Sequence, residues 1–508
     1  MKKNQRAAGL TISYINIVIS MVVNFLLTPL MIQSLSDEGY SIYKIMRSLS
    51  GPLIVLNLGV STVVARSIVR FSENVESSSI NKENTYALGT LLSLITGCVV
   101  IAIGFLISLF IPTLYGNTFA PESIVMAKKM FLIFSATTSV HILTESFRGC
   151  VIGHEKFIFY HGSHTAQHVL RFSLIFLLLQ AGRSALAVAF VDLLVSLAIL
   201  LAYILFSTFS LREKMKLHHF DRTTFSQFAS FSAAILLQAI VNQVNNNVDI
   251  IILGATISSA EIITMYSSAL TIYSVFNSLL SAVPGLYLPQ AMKLVARNAS
   301  GEELTDFVIK PGRFQSMLAV GIVCGFAATG KSFIDLWIGK QYIDAYYVAL
   351  FLMIPVTVPL IENVAITILD ANLKRVYRSA VLCAMAVLNT LLTLLLIPVF
   401  GFWGAMIATC ISLVLGHGLL MNLYYQIKLK MNVSRMFRTM LKGSLTSGLI
   451  SAALVIPLSG LISNSITAFL VQGVLFILIY GLLLFFRALY PSERSFVIQK
   501  LKKVFASK

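Results

Sequence analysis

The sequence predicts an all-α polytopic membrane protein with about 14 transmembrane helices, arranged as two pseudo-symmetric six-helix lobes followed by two C-terminal helices. Of its 508 residues, 57% are hydrophobic and only 12% are charged, which is about half the charged fraction of a typical soluble domain. A span takes about 20 apolar residues, or roughly 36 with its loop, so the chain has room for about 14 spans. This composition excludes a soluble protein, a disordered chain and a disulfide scaffold.

Apolar runs follow one another along the whole chain. We expect spans at 10–33, 41–69, 85–110, 124–148, 157–180, 184–209, 224–254, 260–290, 314–334, 345–370, 378–398, 401–426, 440–462 and 465–487. The first run follows Lys2, Lys3 and Arg6. It is too long for the core of a signal peptide, so we interpret it as a retained first span.

The placement of lysine and arginine predicts the orientation of the spans. With the N-terminus inside, only five of the 38 basic residues fall in outer loops or at the outer ends of spans. These five are Lys128, Lys129, Arg183, Lys331 and Lys340. The opposite orientation would place most basic residues outside, so we expect both termini to be cytoplasmic. The net charge of +17 is then mostly a topology signal, and nucleic acid is not an expected partner.

A weak internal repeat supports two lobes of six spans. Lys156 of GHEKF precedes Gly182 of AGRSALAVA by 26 residues, and Lys374 of DANLKR precedes Gly401 of GFWGAMIAT by 27. An even number of spans per half makes the copies parallel, and transporters often bind substrate between such halves. The predicted parts are an N-lobe at 1–209, a cytoplasmic linker at 210–223, a C-lobe at 224–430, two more spans within 431–490 and a cytoplasmic basic amphipathic tail at 491–508.

Polar side chains recur at helical spacing inside several spans, although a polar residue that faces lipid is costly. Such stripes indicate either a shared cavity or close packing between helices. Amides and hydroxyls suit sugar hydroxyls, because both kinds of group donate and accept hydrogen bonds. The candidate cavity residues of this kind are Asn16 and Asn24 of the first span, His168 of the fifth, and Gln238, Asn242 and Asn245 of the seventh.

Five cations of the first half lie within spans or at their ends. They are Lys44 and Arg47 near the outer end of the second span, Arg171 within the fifth, and Arg66 and Arg148 at the inner ends of the second and fourth. Arginine presents a planar fork that matches phosphate oxygens, so these side chains are candidate contacts for an anionic substrate. The alternative is internal pairing, of Arg148 with Glu145 and of Arg171 with Asp192.

Three acids of the second half, Asp249, Glu362 and Asp370, could titrate and couple transport to protons or sodium ions; a structural role is equally open for each. No metal and no cofactor beyond such an ion is expected. His164 and His168 share a metal-ligand spacing, but no acidic residue continues the set. The five cysteines occur singly and predict neither disulfides nor zinc, and no built-in ATPase is expected.

Several segments, taken in order, resemble one family of transporters. They are TPLMIQSLSDEGYSIYKIMRSLSGPLIVLNLGVSTVVAR at the first two spans, FRGCVIGHEKF between the fourth and fifth, and later DLWIGKQYIDA and LIPVFGFWGAMIAT. Over about residues 10–425 the chain resembles the bacterial polysaccharide or oligosaccharide flippases (the Wzx type). These belong to the multidrug/oligosaccharidyl-lipid/polysaccharide (MOP) exporter superfamily.

The resemblance implies a MATE-like pair of lobes around a V-shaped cavity, with alternating access. It implies a non-enzymatic flippase for an undecaprenyl-pyrophosphate-linked oligosaccharide, serving the biosynthesis of O-antigen lipopolysaccharide, capsule or exopolysaccharide. It also implies a multi-pass protein of the bacterial cytoplasmic (inner) membrane, and a polymerase and a chain-length regulator as partners.

Three other functions stay open. A drug or cation antiporter of the same superfamily usually carries an acid on its early helices, and the first span here has none. A peptidoglycan-precursor flippase would share the fold and differ in cargo. A membrane polymerase or ligase usually displays a sizeable outer loop with catalytic groups, whereas all the predicted outer loops are short.

Overall fold

The computed structural model describes residues 2–57, 59–72, 78–218, 240–245, 247–281, 284–371, 375–460, 465–491, 493–495 and 498–499. Within these residues the chain is helical almost throughout and contains no strand. The predicted all-α polytopic fold is confirmed. A helix satisfies its own backbone hydrogen bonds, which is what a chain inside hydrocarbon requires.

Most of the described helices follow one another with short connections. In chain order they are α1 Lys2–Ser50, α2 Val60–Ser72, α3 Ser78–Tyr115, α4 Pro121–Gly153, α5 Phe157–Gln180, α6 Ala185–Leu205, α7 Asn247–Thr256, α8 Ala260–Ser281, α9 Pro284–Ala296, α10 Gly301–Trp337, α11 Asp344–Ile361, α12 Val364–Ala371, α13 Arg375–Phe400, α14 Phe402–Leu413, α15 Asn422–Lys428, α16 Val433–Leu441, α17 Ser444–Val455 and α18 Ser465–Leu483. A 3₁₀ helix, Gly51–Asn57, follows α1 and leads towards α2.

Nine stretches of the described residues are long and apolar enough to cross a membrane, and the bent pair Val433–Leu441 and Ser444–Leu458 would make a tenth. One of the nine, Ile15–Arg70, has 56 residues, whereas a single crossing needs about 20. Ser36 interrupts it with a φ of 62°, at the SDEGY segment where the sequence predicts a turn between two spans. The total of about 14 spans stays a prediction.

The chain divides into two compact units. The first comprises Met1–Ser267 with Thr390–Ala405, and the second comprises Ser268–Asn389 with Met406–Lys508. The lobe, linker and tail boundaries expected from the sequence stay predictions.

In the first unit, α4 is the central helix and packs against α2, α3 and α6. Small residues allow the close approach. A Cβ added at Gly149 would lie 2.5 Å from the carbonyl oxygen of Ser61, and one at Gly153 would lie 2.8 Å from Cβ of Ile68. Helices in membranes commonly associate through such small residues.

The chain just after α6 is held against the start of α3 and the end of α4. Glu213 accepts a hydrogen bond from Lys82, and Nε2 of His154 lies 2.7 Å from its Oε1. Five residues later, Nε2 of His218 lies 2.9 Å from a carboxylate oxygen of Glu83. Burial would raise the pKa of Glu213, but the contacts with His154 and Lys82 outweigh it and hold the pKa below its usual value. The start of the predicted linker is therefore part of the first unit.

In the second unit, α10 is the central helix and packs against α11, α16, α17 and α18. It begins with a capping box, in which Ser300 and Glu303 each accept from the other's backbone N–H. Its buried core includes Cys324, Val455 and Phe476. Phe476 marks the side of α18 that faces this core. The opposite side of α18 is apolar and exposed, with Ile477 70% accessible, as expected of a surface that faces lipid.

One segment of α10, GFAATGKS at residues 325–332, matches the letter pattern G-x-x-x-x-G-K-S/T of a phosphate-binding loop. The match conflicts with the expectation that the chain has no built-in ATPase. That loop requires a glycine-rich turn between a strand and a helix. Here the segment lies inside one continuous helix, so the pattern does not indicate a nucleotide site.

Candidate anion-binding site

A buried carboxylate is the centre of the polar cluster in the first unit. Asp192 of α6 is 6% exposed. Its Oδ1 accepts a hydrogen bond of 2.6 Å from Nε of Arg171, and its Oδ2 accepts one of 2.9 Å from Nη1 of Arg47. Two guanidinium groups from different helices therefore share one carboxylate.

A tyrosine hydroxyl completes the cluster. Tyr43 donates to Oδ2 of Asp192 at 2.7 Å, and it accepts from Nη1 of Arg47 at 2.7 Å and from Nη2 of Arg171 at 2.8 Å. Its ring packs edge-on against Phe134, with centroids 5.4 Å apart. The ring is fixed by apolar packing, and the hydroxyl is fixed by three charge-assisted hydrogen bonds.

The local helical geometry explains how these residues meet. Tyr43 and Arg47 are four residues apart on the part of α1 that follows Ser36, so they lie on one face of the helix. Arg171 lies on α5 and Asp192 on α6. The hydroxyl of Ser196, one turn after Asp192, donates to the carbonyl of Asp192 and lies 3.2 Å from Nε2 of His141 on α4.

Beside this cluster lies a cavity of about 240 Å³ within the first unit. Most of its wall is neutral and polar or apolar. The lining residues are Arg47, Ser50, Gly51, Ile54, Phe134, Thr137, Thr138, His141, Gln167, Arg171, Asp192, Val195, Ser196 and Gln243. The arrangement offers cationic N–H donors on one side and hydroxyl, amide and imidazole groups on the others, which suits an anion that is attached to a polar group.

The five predicted cations do not share one environment. Arg47 and Arg171 are brought together at the cavity, as described above. Lys44 is half-buried, with Nζ 5.3 Å from the ring centre of Tyr40. Arg148 donates to Glu145, so the predicted pair is confirmed, and Arg66 is an exposed residue of α2. Lys44, Arg148 and Arg66 lie outside the cavity lining.

The predicted polar residues are more scattered. Asn16 accepts from Thr165 at 3.4 Å, and Asn24 donates to the backbone of Ser20. His168 is half-buried and Asn242 is exposed. None of these four predicted residues lines the cavity, and neither does Asn245. Gln238 lies outside the described residues.

The sequence interpretation missed Tyr43, Gln167, His141 and Gln243. The neighbour of Gln243 on the same face is Asn247, whose Nδ2 donates to Oε1 of Gln243 at 2.9 Å. The spacing of four residues between Gln243 and Asn247, and between Tyr43 and Arg47, is the signal that could have identified Gln243 and Tyr43.

The three predicted acids lie apart from this cluster in the chain. Asp249 is buried and accepts a hydrogen bond of 2.9 Å from the hydroxyl of Tyr266. Glu362 is 2% exposed and lies 3.5 Å from Nδ2 of Asn422. Asp370 is half-buried at the end of α12.

The shared carboxylate predicts a specific pattern of stability. Asp192→Ala leaves two guanidiniums without their common anion, and breaking such a buried pair costs about 3–5 kcal/mol. Adding Arg171→Ala removes one of the two charges and should recover most of that loss, because Arg47 has access to solvent. Thermal unfolding of the purified variants measures this pattern, and a double variant no more stable than Asp192→Ala would contradict the shared pairing.

Comparisons with known proteins identify the family through a family model and the fold through solved structures. Residues 7–296, more than half of the chain, match the model of the family described as "Polysaccharide biosynthesis protein". No curated protein matches the sequence significantly. A solved structure of the Lipid II flippase MurJ, inward closed, is 16% identical with a TM-score of 0.71 and covers 94% of this chain and 98% of its own. An inward-facing multidrug resistance MATE family transporter of the MOP superfamily is 12% identical with a TM-score of 0.60, covering 84% and 99%.

At such identities the structural similarity shows the fold alone, and the family model supplies the membership. The fold is shared by flippases and by drug transporters. The chain is thus a multi-pass membrane protein with the fold of the MOP exporters, and it belongs to the polysaccharide biosynthesis protein family.

Proposed function

We propose that the protein flips an undecaprenyl-pyrophosphate-linked oligosaccharide from the cytoplasmic to the outer leaflet of a bacterial cytoplasmic membrane. It does so by alternating access, with both termini cytoplasmic, and serves the biosynthesis of O-antigen, capsule or exopolysaccharide, beside a polymerase and a chain-length regulator. The observation that carries the proposal is the pair of guanidiniums, Arg47 and Arg171, beside a polar cavity.

The charge of the site favours a phosphate ligand. A pyrophosphate that enters a region of low dielectric loses hydration and needs fixed positive charge in return. A hydrogen bond to a charged group contributes about 1.5–3 kcal/mol, so at least two must converge. The side chain of Arg47 is 49% exposed and that of Arg171 is 13% exposed. Arg47 is therefore the first contact that we propose for the ligand, and Arg171 the second.

The rest of the wall favours a sugar next to that phosphate. Thr137, Gln167 and Gln243 line the cavity with groups that can both donate and accept hydrogen bonds. The cavity volume of about 240 Å³ is below the range of about 300–1,000 Å³ for sites that enclose a drug-sized ligand. We infer that it takes the pyrophosphate and the adjoining part of the headgroup, with the remaining sugars outside it.

A cationic drug is a poor ligand for this cavity. Asp192 is the one acid among the lining residues named above, and it is already shared by two guanidiniums. An incoming cation would meet net positive charge and no available carboxylate. This argues against the antiporter alternative, although the MATE fold is shared.

A peptidoglycan-precursor flippase is the second candidate, because the TM-score with the MurJ structure, 0.71, exceeds that with the MATE transporter, 0.60. Both candidates would use the same pyrophosphate contacts and differ in the sugar. The two are distinguished by expressing the protein in one strain that lacks its O-antigen flippase and in another depleted of its peptidoglycan-precursor flippase. Restored surface glycan supports the first candidate, and restored growth supports the second.

Ion coupling is a further part of the proposal. Asp249 is our first candidate, because it continues the polar stripe of the seventh predicted span and is buried against Tyr266. Glu362 and Asp370 are the alternatives. A driving proton or sodium ion must change the charge or coordination of a buried acid between states. Asp249→Asn should abolish transport while the protein stays folded in the membrane, and transport at the wild-type rate would remove Asp249 as the coupling group.

The substrate proposal predicts a graded effect at Arg47. Arg47→Ala should abolish surface glycan display, because it removes the most accessible cation of the cavity. Arg47→Lys should be partly active, since lysine keeps the charge but loses the planar fork. Display is measured by glycan-specific labelling in a strain that lacks its own flippase, with protein levels measured in parallel.

Arg297→Ala serves as the matched control, because Arg297 forms an exposed ion pair with Glu303 and such pairs contribute little. The control should display glycan as the wild type does. Full display by Arg47→Ala at normal protein level would exclude Arg47 as a substrate contact.

A further inference from the structure

The anion-binding cluster contains an anion of its own. Asp192 faces Tyr43 and Arg47 from α1, Arg171 from α5, and, through Ser196, His141 from α4. The cavity lining contains two guanidiniums and one carboxylate, so its net charge is +1 when His141 is neutral. A site built only for tight binding of phosphate would gain from the absence of Asp192, because the carboxylate uses the same N–H donors.

The guanidiniums nevertheless keep donors beyond those contacts. Among the described residues, Nε and Nη2 of Arg47 and Nη1 of Arg171 have no hydrogen-bond acceptor, since Arg47 uses Nη1 and Arg171 uses Nε and Nη2 for Asp192 and Tyr43. Both guanidiniums also donate to the hydroxyl of Tyr43, so the remaining donors belong to two neighbouring side chains. A ligand must reach both arginines to use them all.

The membrane supplies an abundant competitor for this site. Ordinary phospholipids carry a phosphodiester with a single negative charge, and every lipid-embedded cationic cavity meets them in excess over a pyrophosphate-linked substrate. Specificity is a difference between two affinities, and it often depends on an element that repels the wrong ligand.

We propose that Asp192 determines specificity by holding a negative charge on the guanidiniums, so that the cavity rejects singly charged phosphodiesters and accepts pyrophosphates. This inference rests on the proposed function, and it identifies membrane phosphodiesters as the ligands that the pyrophosphate site must exclude. A pyrophosphate that links a lipid to a sugar carries two charges on two linked phosphates and can contact donors of both arginines. A phosphodiester has one charge and one phosphate, so it competes with the carboxylate while satisfying fewer of those donors.

Binding to two soluble probes tests this inference on the purified full-length protein in detergent. The probes are dihexanoyl phosphatidylglycerol, which has one charge, and farnesyl pyrophosphate. We expect Asp192→Asn to bind the phosphatidylglycerol at least tenfold more tightly than the wild type does, while farnesyl pyrophosphate binding is kept. Asparagine retains an oxygen that can accept from Arg171 or Tyr43, so the packing of the cluster is preserved as far as one substitution allows.

A second variant makes the same charge change without touching the carboxylate. Gln167 lines the cavity and is half-buried, so Gln167→Lys raises the cavity charge by one and should also gain phosphatidylglycerol binding. This variant decides the matter if Asp192→Asn fails to fold. The control is Glu83→Gln, which changes the net charge equally but removes an acid outside the cavity, next to His218. It should bind both probes as the wild type does.

Two results would overturn the inference. One is unchanged phosphatidylglycerol binding in folded Asp192→Asn and Gln167→Lys. The other is loss of farnesyl pyrophosphate binding in Asp192→Asn, which would make Asp192 a positioning residue for the two arginines. Failure of the wild type to bind farnesyl pyrophosphate would instead count against the proposed function. The gain of phosphatidylglycerol binding in the variants is a separate measurement, so the two failures can be told apart.

Discussion

A charge buried in a membrane protein must be paired, and in the first unit that constraint is met by one carboxylate shared between two guanidiniums. Asp192 joins α6 to α5 through Arg171 and to α1 through Arg47 and Tyr43. These contacts fix the relative placement of three helices and leave further N–H donors beside a cavity. The same residues therefore stabilise the unit and form the candidate site, so a substitution here has to be measured for both folding and transport.

The fold class could be predicted from the sequence because hydrocarbon imposes it. Where every backbone polar group must be satisfied internally, long apolar runs have to be helices. The importance of Arg47 and Arg171 was also visible, since cations within apolar runs are rare and need a reason. The pairing of Arg171 with Asp192 was one of two alternatives, and the structure shows the pair.

The exact lining of the cavity could not be predicted, because it depends on how each helix is rotated about its axis. On the helix that contains Asn242 and Asn245, the cavity residue is Gln243, and a rotation of one residue, about 100°, decides which amide faces inward. Tyr43 was missed for another reason. A tyrosine in an apolar run looks like a core residue, and its ring is one, whereas its hydroxyl takes part in the site.

Because MurJ and MATE transporters share this fold, the fold alone leaves the cargo open, and the chemistry of the cavity has to identify it. The most direct measurement is photo-crosslinking in cells that make the lipid-linked oligosaccharide, with a photoreactive residue in place of Gln167 in the cavity and, as control, in place of the exposed Ala166 beside it. The account predicts that the Gln167 position captures a pyrophosphate-linked glycolipid, that the Ala166 position captures bulk phospholipid, and that Arg47→Ala abolishes the first adduct. The same phospholipid adducts from both positions, unchanged by Arg47→Ala, would contradict it.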